Sequence, residues 1–364
     1  MKSAICDKCP AKIDIGPVYT VDPQRRAAYA AGNGFSPVER ELVFDIDLTD
    51  YDDVRTCGKE GHICTKCWPL MAVAIAILDR GLREDFGFKH IFFVFSGRRG
   101  VHAWVCDERA RKLTDEQRSS IAQYFAIYKG NEKGIAKLST GLEDHPSVAK
   151  AYDILLEAFE GSILQQQGLL EDPAQIESIL SYLPSDAVRA EVKKRWTEKL
   201  IHDQNDISVR RWHILVACVK EEQAALMKLN PRDGKKARAL GKGLKDIVFA
   251  YAYPRLDMEV SKKLNHLLKA PFCVHPKTGK VCVPINPASA WKFNPCTVCT
   301  VGQLLNQLNQ AKNTGDKEDA WKHTDMAAAV DTFRTCFLDA LQLEIKESLT
   351  AKARDTAGSP TLAW

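Results

Sequence analysis

Two acidic residues on one predicted strand form the first group that could carry out chemistry. Residues 42–48 read Leu-Val-Phe-Asp-Ile-Asp-Leu, so apolar residues alternate with Asp45 and Asp47. Alternate residues of a strand share a face, which puts both carboxylates on one side, about 6.5 Å apart. Such a pair can bind hard cations, and two divalent ions stabilise the attacking and leaving oxygens in nucleotidyl transfer. By itself the pair also fits a solvated strand face.

A second group offers soft ligands within residues 57–67. Its spacing, Cys57-x4-His62-x-Cys64-x2-Cys67, supplies three thiolates and one imidazole. Structural zinc is held tetrahedrally by four such ligands, which leave no open position for a substrate. The sequence therefore predicts one structural Zn²⁺. The alternative is a set of reduced cysteines beside a solvated histidine.

A third group combines basic and hydroxyl side chains at a glycine-bounded turn between two apolar, extended segments. The turn contains Ser96, Arg98 and Arg99, and His102 lies on the strand that follows. Two guanidinium groups, a hydroxyl and exposed backbone amides form an anion site suited to a triphosphate. Alone, the pattern also fits an ordinary hairpin with surface arginines.

The fourth group lies at 253–276 and adds a further carboxylate, a lysine and two histidines. These residues are Asp257, His266, Lys269 and His275. They precede a Pro- and Gly-containing turn that predicts a hairpin over 272–285. Composition alone favours the alternative of a surface acid and core histidines.

Periodicity predicts the elements that must position these groups. Extended patterns occur at 42–48, 91–95 and 101–105, and helical spacing at 66–85, which together indicate a mixed α/β unit. Apolar spacing becomes helical between about 114 and 250, which indicates an inserted helical subdomain. The predicted division is a catalytic α/β domain over 1–125 that includes the zinc motif, a helical insert over 126–248, the rest of the catalytic domain over 249–290, a helical and linker region over 291–350, and a disordered tail over 351–364.

Composition limits the classes of protein. The 364 residues are 45% hydrophobic and carry a formal net charge of +4, so the chain can bury a core but is not a purely electrostatic DNA binder. The longest apolar run, 70–78, is far shorter than the roughly 20 residues that cross a bilayer, which predicts a protein without membrane association. With no secretory signal, the 12 cysteines are expected to be thiols or metal ligands.

Together the four groups resemble the small catalytic subunit of eukaryotic and archaeal primases. The resemblance extends from about residue 12 to 287 and rests on five stretches: V-F-D-I-D-L-T-D-Y-D-D-V-R at 43–55, E-D-F-G-F-K-H at 84–90, S-G-R-R-G-V-H at 96–102, P-R-L-D at 254–257, and N-H-L-L-K-x-P-F-x-V-H-P-K-T-G at 265–279. Such long ungapped stretches are highly specific. The implied architecture is the primase catalytic fold, with mixed β-sheets, the inserted helical subdomain and the small zinc-binding motif.

Roles follow from the resemblance position by position. It implies that Asp45, Asp47 and Asp257 are catalytic and hold two Mg²⁺ or Mn²⁺ ions. It also implies a nucleotide-binding set that consists of Ser96, Arg98, Arg99, His102, His266, Lys269 and His275. The zinc set departs from that of animal members, which look like four cysteines with an adjacent pair. Here Gly58 follows Cys57, and His62 restores the number of ligands.

The implied function is that of the catalytic subunit of DNA primase, which makes short RNA primers from NTPs on single-stranded DNA and releases pyrophosphate. The implied partners are the iron-sulfur large primase subunit and the DNA polymerase alpha complex, and the implied location is the nucleus. Two alternatives remain: a non-catalytic or N-terminally truncated primase subunit that acts only in complex assembly, and a D-x-D glycosyltransferase that uses nucleotide sugars.

Other features lie outside the family pattern. Resembling proteins carry several dozen residues before the segment that matches 12–19, including an acidic active-site residue and a nucleotide-contacting arginine, so truncation and lost activity remain open. The pairs Cys6/Cys9 and Cys296/Cys299 are expected to be free thiols rather than a second zinc site. A basic run at 232–245 is expected to be a solvated loop rather than a template-binding surface.

Overall fold

The computed structural model describes residues 2–10, 12–29, 34–127, 146–198, 206–229, 234–313 and 319–358. Its strands are β1 (Asp14–Ile15), β2 (Val18–Tyr19), β3 (Pro37–Glu39), β4 (Leu42–Asp47), β5 (Ile91–Phe95), β6 (Gly100–Val105), β7 (Leu268–Lys269) and β8 (Pro284–Ile285). The central sheet is antiparallel with the order β4-β6-β5-β8, and two small sheets pair β1 with β7 and β2 with β3.

Helices account for most of the remaining structure. They are α1 (Lys2–Lys8), α2 (Arg26–Tyr29), α3 (Trp68–Arg80), α4 (Glu108–Arg111), α5 (Asp115–Phe125), α6 (Pro146–Ala158), α7 (Leu164–Gln167), α8 (Pro173–Leu180), α9 (Asp186–Glu198), α10 (Ile207–Leu229), α11 (Gly234–Ala252), α12 (Met258–Lys262), α13 (Val301–Asn313), α14 (Met326–Phe333) and α15 (Asp339–Gly358). The mixed helix-and-sheet class predicted from the sequence is confirmed. Among the described helices, no segment combines the length and apolar character that a bilayer crossing requires.

The central sheet is covered by apolar side chains on both faces. Leu42, Phe44 and Ile46 are fully buried in the main core, which also contains the apolar residues of α3 and of the helices between β6 and β7. On the opposite face, Trp104 stacks on Phe92 in a second, smaller core. Residues of the C-terminal helical region close this face. The alternation predicted for β4 is therefore confirmed along its main-core side.

Helical segments of the C-terminal region contact the central sheet. Phe337 packs on Phe92 with ring centroids 4.3 Å apart, and Glu344 of α15 lies 2.9 Å from the buried ring of His90. Helix α15 continues through Gly358, so the first part of the predicted disordered tail is helical, and residues 359–364 lie outside the described residues. These contacts pack the C-terminal region against the sheet.

One buried arginine fixes the start of strand β4. The side chain of Arg118 is 1% exposed and donates hydrogen bonds to five backbone carbonyls. These carbonyls belong to Arg40, Glu41, Ala110, Arg111 and Leu113. Since buried carbonyl groups are costly when unpaired, this residue ties β4 to the loop between α4 and α5.

We therefore expect Arg118→Met to lower the free energy of unfolding by about 3 kcal/mol, because it leaves several buried carbonyls without donors. Denaturant-induced unfolding followed by tryptophan fluorescence measures the change. Arg334→Met is the matched control, since that side chain is 61% exposed, and it should cost less than about 0.5 kcal/mol. Equal stability of the two variants would contradict this role for Arg118.

Candidate active site

The register between β4 and β6 brings the predicted acidic pair beside the predicted basic turn. Asp45 pairs with His102, and Asp47 pairs with Gly100 at the start of β6. A Cβ atom added at Gly100 would lie 2.3 Å from the carbonyl oxygen of Ile46, so only glycine allows this close approach of the strands. The acids and the turn 96–99 therefore meet at one edge of the sheet.

The third acid reaches the same edge from a distant part of the chain. The backbone N–H of Asp257 donates to the carbonyl of Asp45 over 3.0 Å, so the segment before α12 runs beside β4. The hydroxyl of Ser261 donates to the carbonyl of Val43 over 2.7 Å and holds α12 along the same strand. Asp45, Asp47 and Asp257 thus line one cavity. The sequence analysis predicted that these three acids share a site.

A buried arginine joins the segment that carries Asp257 to the turn that follows Asp47. The N–H of Arg255 donates to the hydroxyl of Tyr51, and its guanidinium bonds the carbonyl of Asp50 and the carboxylate of Asp53. The guanidinium also lies over the ring of Tyr51, 5.2 Å from its centroid. This network fixes the segment that carries Asp257 relative to the strand that carries Asp45 and Asp47.

Burial and neighbouring acids raise the proton affinity of two carboxylates in this acidic group. Burial raises the pKa of Asp45 to about 7, and the charges of Asp47, Asp257 and Asp50 add to this effect while Lys269 opposes it. Burial, Asp47 and Asp257 likewise raise the pKa of Asp50 to about 6. Like charges that line one cavity favour either a proton or a cation among them. Their oxygen-only donor set suits Mg²⁺ or Mn²⁺.

Basic groups form a cationic wall of the same cavity, next to the acids. Arg99 donates through Nε to both carboxylate oxygens of Asp47, at 2.7 and 2.9 Å. The Nζ atom of Lys269 donates to the carbonyl of Ser96, and the hydroxyl of Ser96 accepts from the N–H of Gly100 at 3.0 Å. The wall therefore consists of fixed cations beside a structured turn, which is an arrangement that binds anions.

The two histidines nearest this wall are held neutral. Burial lowers the pKa of His102 to about 3, with a further contribution from Lys269. Burial, Lys269 and Arg98 lower the pKa of His275 to about 4. At neutral pH both rings therefore offer hydrogen bonds without adding positive charge.

All ten predicted catalytic and nucleotide-binding residues line this single cavity, which has a volume of about 410 Å³. They are Asp45, Asp47, Ser96, Arg98, Arg99, His102, Asp257, His266, Lys269 and His275. They come from three of the four groups that the sequence analysis singled out, namely the first, the third and the fourth. The predicted hairpin that carries His275 is present, since the N–H of His275 donates to the carbonyl of Lys280 across the turn.

The cavity also contains residues that sequence reasoning missed. Lys12 and Asp14 line it and form a 3.0 Å ion pair with each other. Strand β1 pairs Asp14 with Lys269, a partner more than 250 positions away. A two-residue strand has no detectable period, and the partner of a long-range pair cannot be read from one sequence. The only available signal was that Lys12 begins the region of resemblance.

Three of the four predicted zinc ligands come together. The sulfur atoms of Cys57, Cys64 and Cys67 lie within 4.8 Å of one another, and those of Cys64 and Cys67 are 3.7 Å apart. Tetrahedral zinc with Zn–S bonds of about 2.3 Å needs sulfur atoms about 3.8 Å apart, so the cluster fits this ion. Hydrogen bonding from Cys67 lowers the pKa of Cys57, which favours the thiolate that binds metal.

The fourth predicted zinc ligand, His62, stands apart from this cluster. Its ring nitrogens do not lie within 4.8 Å of all three sulfurs. Instead the ring fills the space beside Gly58, where an added Cβ atom would lie 2.3 Å from the ring carbon Cδ2. The imidazole therefore occupies the region that a side chain at position 58 would need, next to Cys57. Binding to the same ion requires the ring to turn toward the sulfurs.

A glutamine from the helical region supports the thiol cluster and was not anticipated. The amide nitrogen of Gln167 donates to the carbonyl of Lys66 over 2.7 Å and lies 3.6 Å from the sulfur of Cys57. Its oxygen accepts from the N–H of Thr56 over 2.8 Å. This buried side chain ties the metal-binding loop to α7. Nothing in its sequence context distinguishes it from its neighbours Gln165 and Gln166.

The remaining predicted features lie away from the cavity. Cys6 lies on α1, Cys9 follows the end of this helix, and both are exposed. Cys299 donates to Asp325 over 2.7 Å. In the basic run, Lys242 forms a 2.9 Å ion pair with Asp246, and Lys245 lies over the ring of Tyr152. Arg232 lies outside the described residues. Among the described residues of these features, none lines the cavity that contains the acids.

Comparison with known proteins shows which protein family has a sequence model that matches the site residues. A model of the DNA primase small subunit family matches residues 44–287, which include both acids of β4, the thiol cluster, the basic turn and the segment 257–275. The chain belongs to the DNA primase small subunit family.

Individual relatives agree with this membership. The chain is 41% identical over 312 residues to the DNA primase small subunit of Schizosaccharomyces pombe, which covers 85% of this chain and 66% of the relative. The corresponding values for the Drosophila melanogaster protein are 40% over 314 residues, 85% and 69%. For Saccharomyces cerevisiae they are 36% over 282 residues, 77% and 66%. The chain thus spans about two thirds of the length of these primase small subunits.

The thiol cluster generates a prediction about metal content. We expect the purified chain to contain about one zinc ion, and Cys64→Ser to lose it because three ligands hold zinc much more weakly than four. His62→Ala should weaken zinc binding at least about tenfold if the ring turns to complete the shell. Elemental analysis and competition with a colorimetric chelator measure both effects.

Cys336→Ser is the control for that experiment, because this cysteine lies in the C-terminal helical region and outside the thiol cluster. It should retain full zinc content. Zinc affinity in His62→Ala equal to that of the unmodified chain would exclude His62 as the fourth ligand.

Proposed function

We propose that this chain is the catalytic subunit of a DNA primase, which joins ribonucleotides into short RNA primers on a single-stranded DNA template and releases pyrophosphate. The observation that carries the proposal is the convergence of a carboxylate wall and a cationic wall in one cavity within a member of the primase small subunit family. Family membership also favours this function over nucleotide-sugar transfer, which leaves the thiol cluster and the distant set of Asp257, Lys269 and His275 unexplained.

The carboxylate wall would hold the catalytic metal ions. Asp45, Asp47 and Asp257 offer oxygen ligands that suit two Mg²⁺ or Mn²⁺ ions. When bound, such ions activate the attacking 3′-hydroxyl and neutralise charge on the leaving pyrophosphate. The protein contributes geometry. A backbone hydrogen bond joins Asp257 to Asp45, and the hydrogen bonds of Arg255 add to it, so the carboxylates are held in place before any substrate arrives.

The cationic wall would bind the triphosphate of the incoming nucleotide. Arg98, Arg99 and Lys269 supply positive charge, and the Ser96 turn supplies polar groups. The neutral rings of His102 and His275 would donate hydrogen bonds to phosphate oxygens, and His266 lines the same cavity. Phosphoryl and nucleotidyl transfer depend mainly on such positioning and charge stabilisation, so no covalent nucleophile is needed.

The thiol cluster would hold one Zn²⁺ in a structural role. Cys57, Cys64 and Cys67 supply three of the four ligands that a closed tetrahedral site requires, and His62 would supply the last. With no ligand position left for a substrate, the ion would stabilise the loop between β4 and α3 rather than take part in transfer.

The proposal extends to partners and location. A primase catalytic subunit would work with an iron-sulfur large subunit and with the DNA polymerase alpha complex in the nucleus. The substrates would be NTPs, single-stranded DNA and the growing RNA primer. The chain spans about two thirds of the length of its relatives, so these partners and this location are inferred from the family and not from residues of this chain.

The test is primer synthesis on poly(dT) with ATP and Mn²⁺. We expect Asp45→Asn and Asp257→Asn each to lower the rate at least about 100-fold, because each removes a charged metal ligand. Asp331→Asn is the matched control, since this exposed acid lies on α14 and outside the cavity. It should leave the rate unchanged.

Other outcomes would redirect the proposal. Synthesis that persists in Asp45→Asn and Asp257→Asn would contradict the catalytic assignment of the carboxylates. If none of the proteins makes primers but the chain still assembles with a large subunit, the non-catalytic alternative would replace the proposal.

A further inference from the structure

The two arginines of the basic turn are held in different ways. Arg99 is held by Asp47, whose carboxylate oxygens accept both of its Nε contacts. Arg98 lines the same cavity, yet it has no hydrogen bond or ion pair with the residues in the described ranges. Since Arg is a long side chain with several rotatable bonds, the position of its guanidinium depends on the surfaces against which it packs.

Arg98 is held by contact with a glycine of the metal-binding loop. A Cβ atom added to Gly61 would lie 2.3 Å from Nη2 of Arg98, 3.1 Å from Cζ and 3.2 Å from Nε. The guanidinium therefore lies directly against the Gly61 backbone. Any side chain at position 61 would displace it.

Hydrogen bonds from Arg55 and to Asp52 hold the backbone on both sides of Gly61. The buried guanidinium of Arg55 donates to the carbonyl of His62 over 2.7 Å and to the carbonyl of Glu60 over 3.1 Å. Asp52 accepts from the N–H of Glu60 over 2.8 Å and from Nε of Arg55 over 2.5 Å. These bonds make residues 60–62 a firm surface rather than a mobile loop tip.

The geometry points to a positioning role for this surface, which we call the bracing loop (residues 60–62): it holds the guanidinium of Arg98 where the triphosphate binds. This inference rests on the proposed function, because it requires Arg98 to contact phosphate oxygens. Bidentate arginine–phosphate bonds depend on orientation, and a displacement of about 1 Å removes much of their value. Gly61 and Arg55 act through Arg98 and do not touch the substrate themselves.

Calorimetric titration of ATP and of AMP in the presence of Mn²⁺ tests the inference. Gly61→Ala and Gly61→Val should weaken ATP binding, the larger side chain by about tenfold, which is the usual value of one charge-assisted hydrogen bond. AMP binding should change little, because AMP lacks the β- and γ-phosphates. Gly161→Ala is the matched control, since a Cβ atom there meets nothing within 4 Å.

The decisive comparison is made in the Arg98→Ala background. If the bracing loop acts only through Arg98, adding Gly61→Val to Arg98→Ala should cause no further loss of ATP affinity. Zinc content and the thermal midpoint of each variant confirm that the loop remains folded. The clash involves the far end of a flexible side chain, so the substitution should disturb Arg98 rather than the fold.

Three results would overturn the inference. Unchanged ATP affinity in both Gly61 variants, with weaker binding in Arg98→Ala, would refute the bracing loop and leave the proposed function intact. An equal loss from Gly61→Val with and without Arg98 would show that the loop acts elsewhere. Unchanged ATP affinity in Arg98→Ala would refute both the inference and the proposed triphosphate contact.

Discussion

The antiparallel register of β4 and β6 is the constraint on which the rest of the site depends. It pairs Asp45 with His102 and Asp47 with Gly100, so the acids of one strand face the turn that begins the other. A shift of one residue would move both carboxylates to the face that packs on α3. The tight approach at Gly100 and the buried arginine at the start of β4 hold the register.

Around this register the fold assembles charges that would otherwise separate. Three carboxylates converge although burial and mutual repulsion raise the pKa of Asp45 to about 7. Backbone hydrogen bonds, Arg255 and the ion pair between Arg99 and Asp47 hold them together. Neighbouring negative charges favour the binding of cations, while Lys269 and the turn favour a polyanion alongside. Under the proposed function, a metal–triphosphate complex would satisfy both sets of charges.

How much of this arrangement the sequence foretold depended on how local each signal was. The alternation in β4 predicted which face Asp45 and Asp47 share, and the spacing of Cys64 and Cys67 predicted their contact, because both signals lie within a few residues. All ten residues that the resemblance assigned to catalysis and nucleotide binding line the cavity. Gln167 and Asp14 were missed because their importance arises only from partners that are distant in sequence.

Other predictions depend on details that a sequence does not specify. The spacing of His62 suits zinc, but spacing does not specify a rotamer, and its ring packs beside Gly58, so its role as a ligand stays a prediction. The small, polar residues at 351–364 predicted a disordered tail, and α15 is helical through Gly358. The contact between Gly61 and Arg98 joins two motifs that the sequence presents as separate.

The most direct test of the central claim is the location of Mn²⁺ and ATP in crystals of this chain, determined from the anomalous scattering of manganese. The account predicts manganese peaks among Asp45, Asp47 and Asp257, with the triphosphate between those peaks and the guanidinium groups of Arg98 and Arg99. Manganese bound elsewhere, or a nucleotide bound with its phosphates directed away from the basic turn, would contradict it.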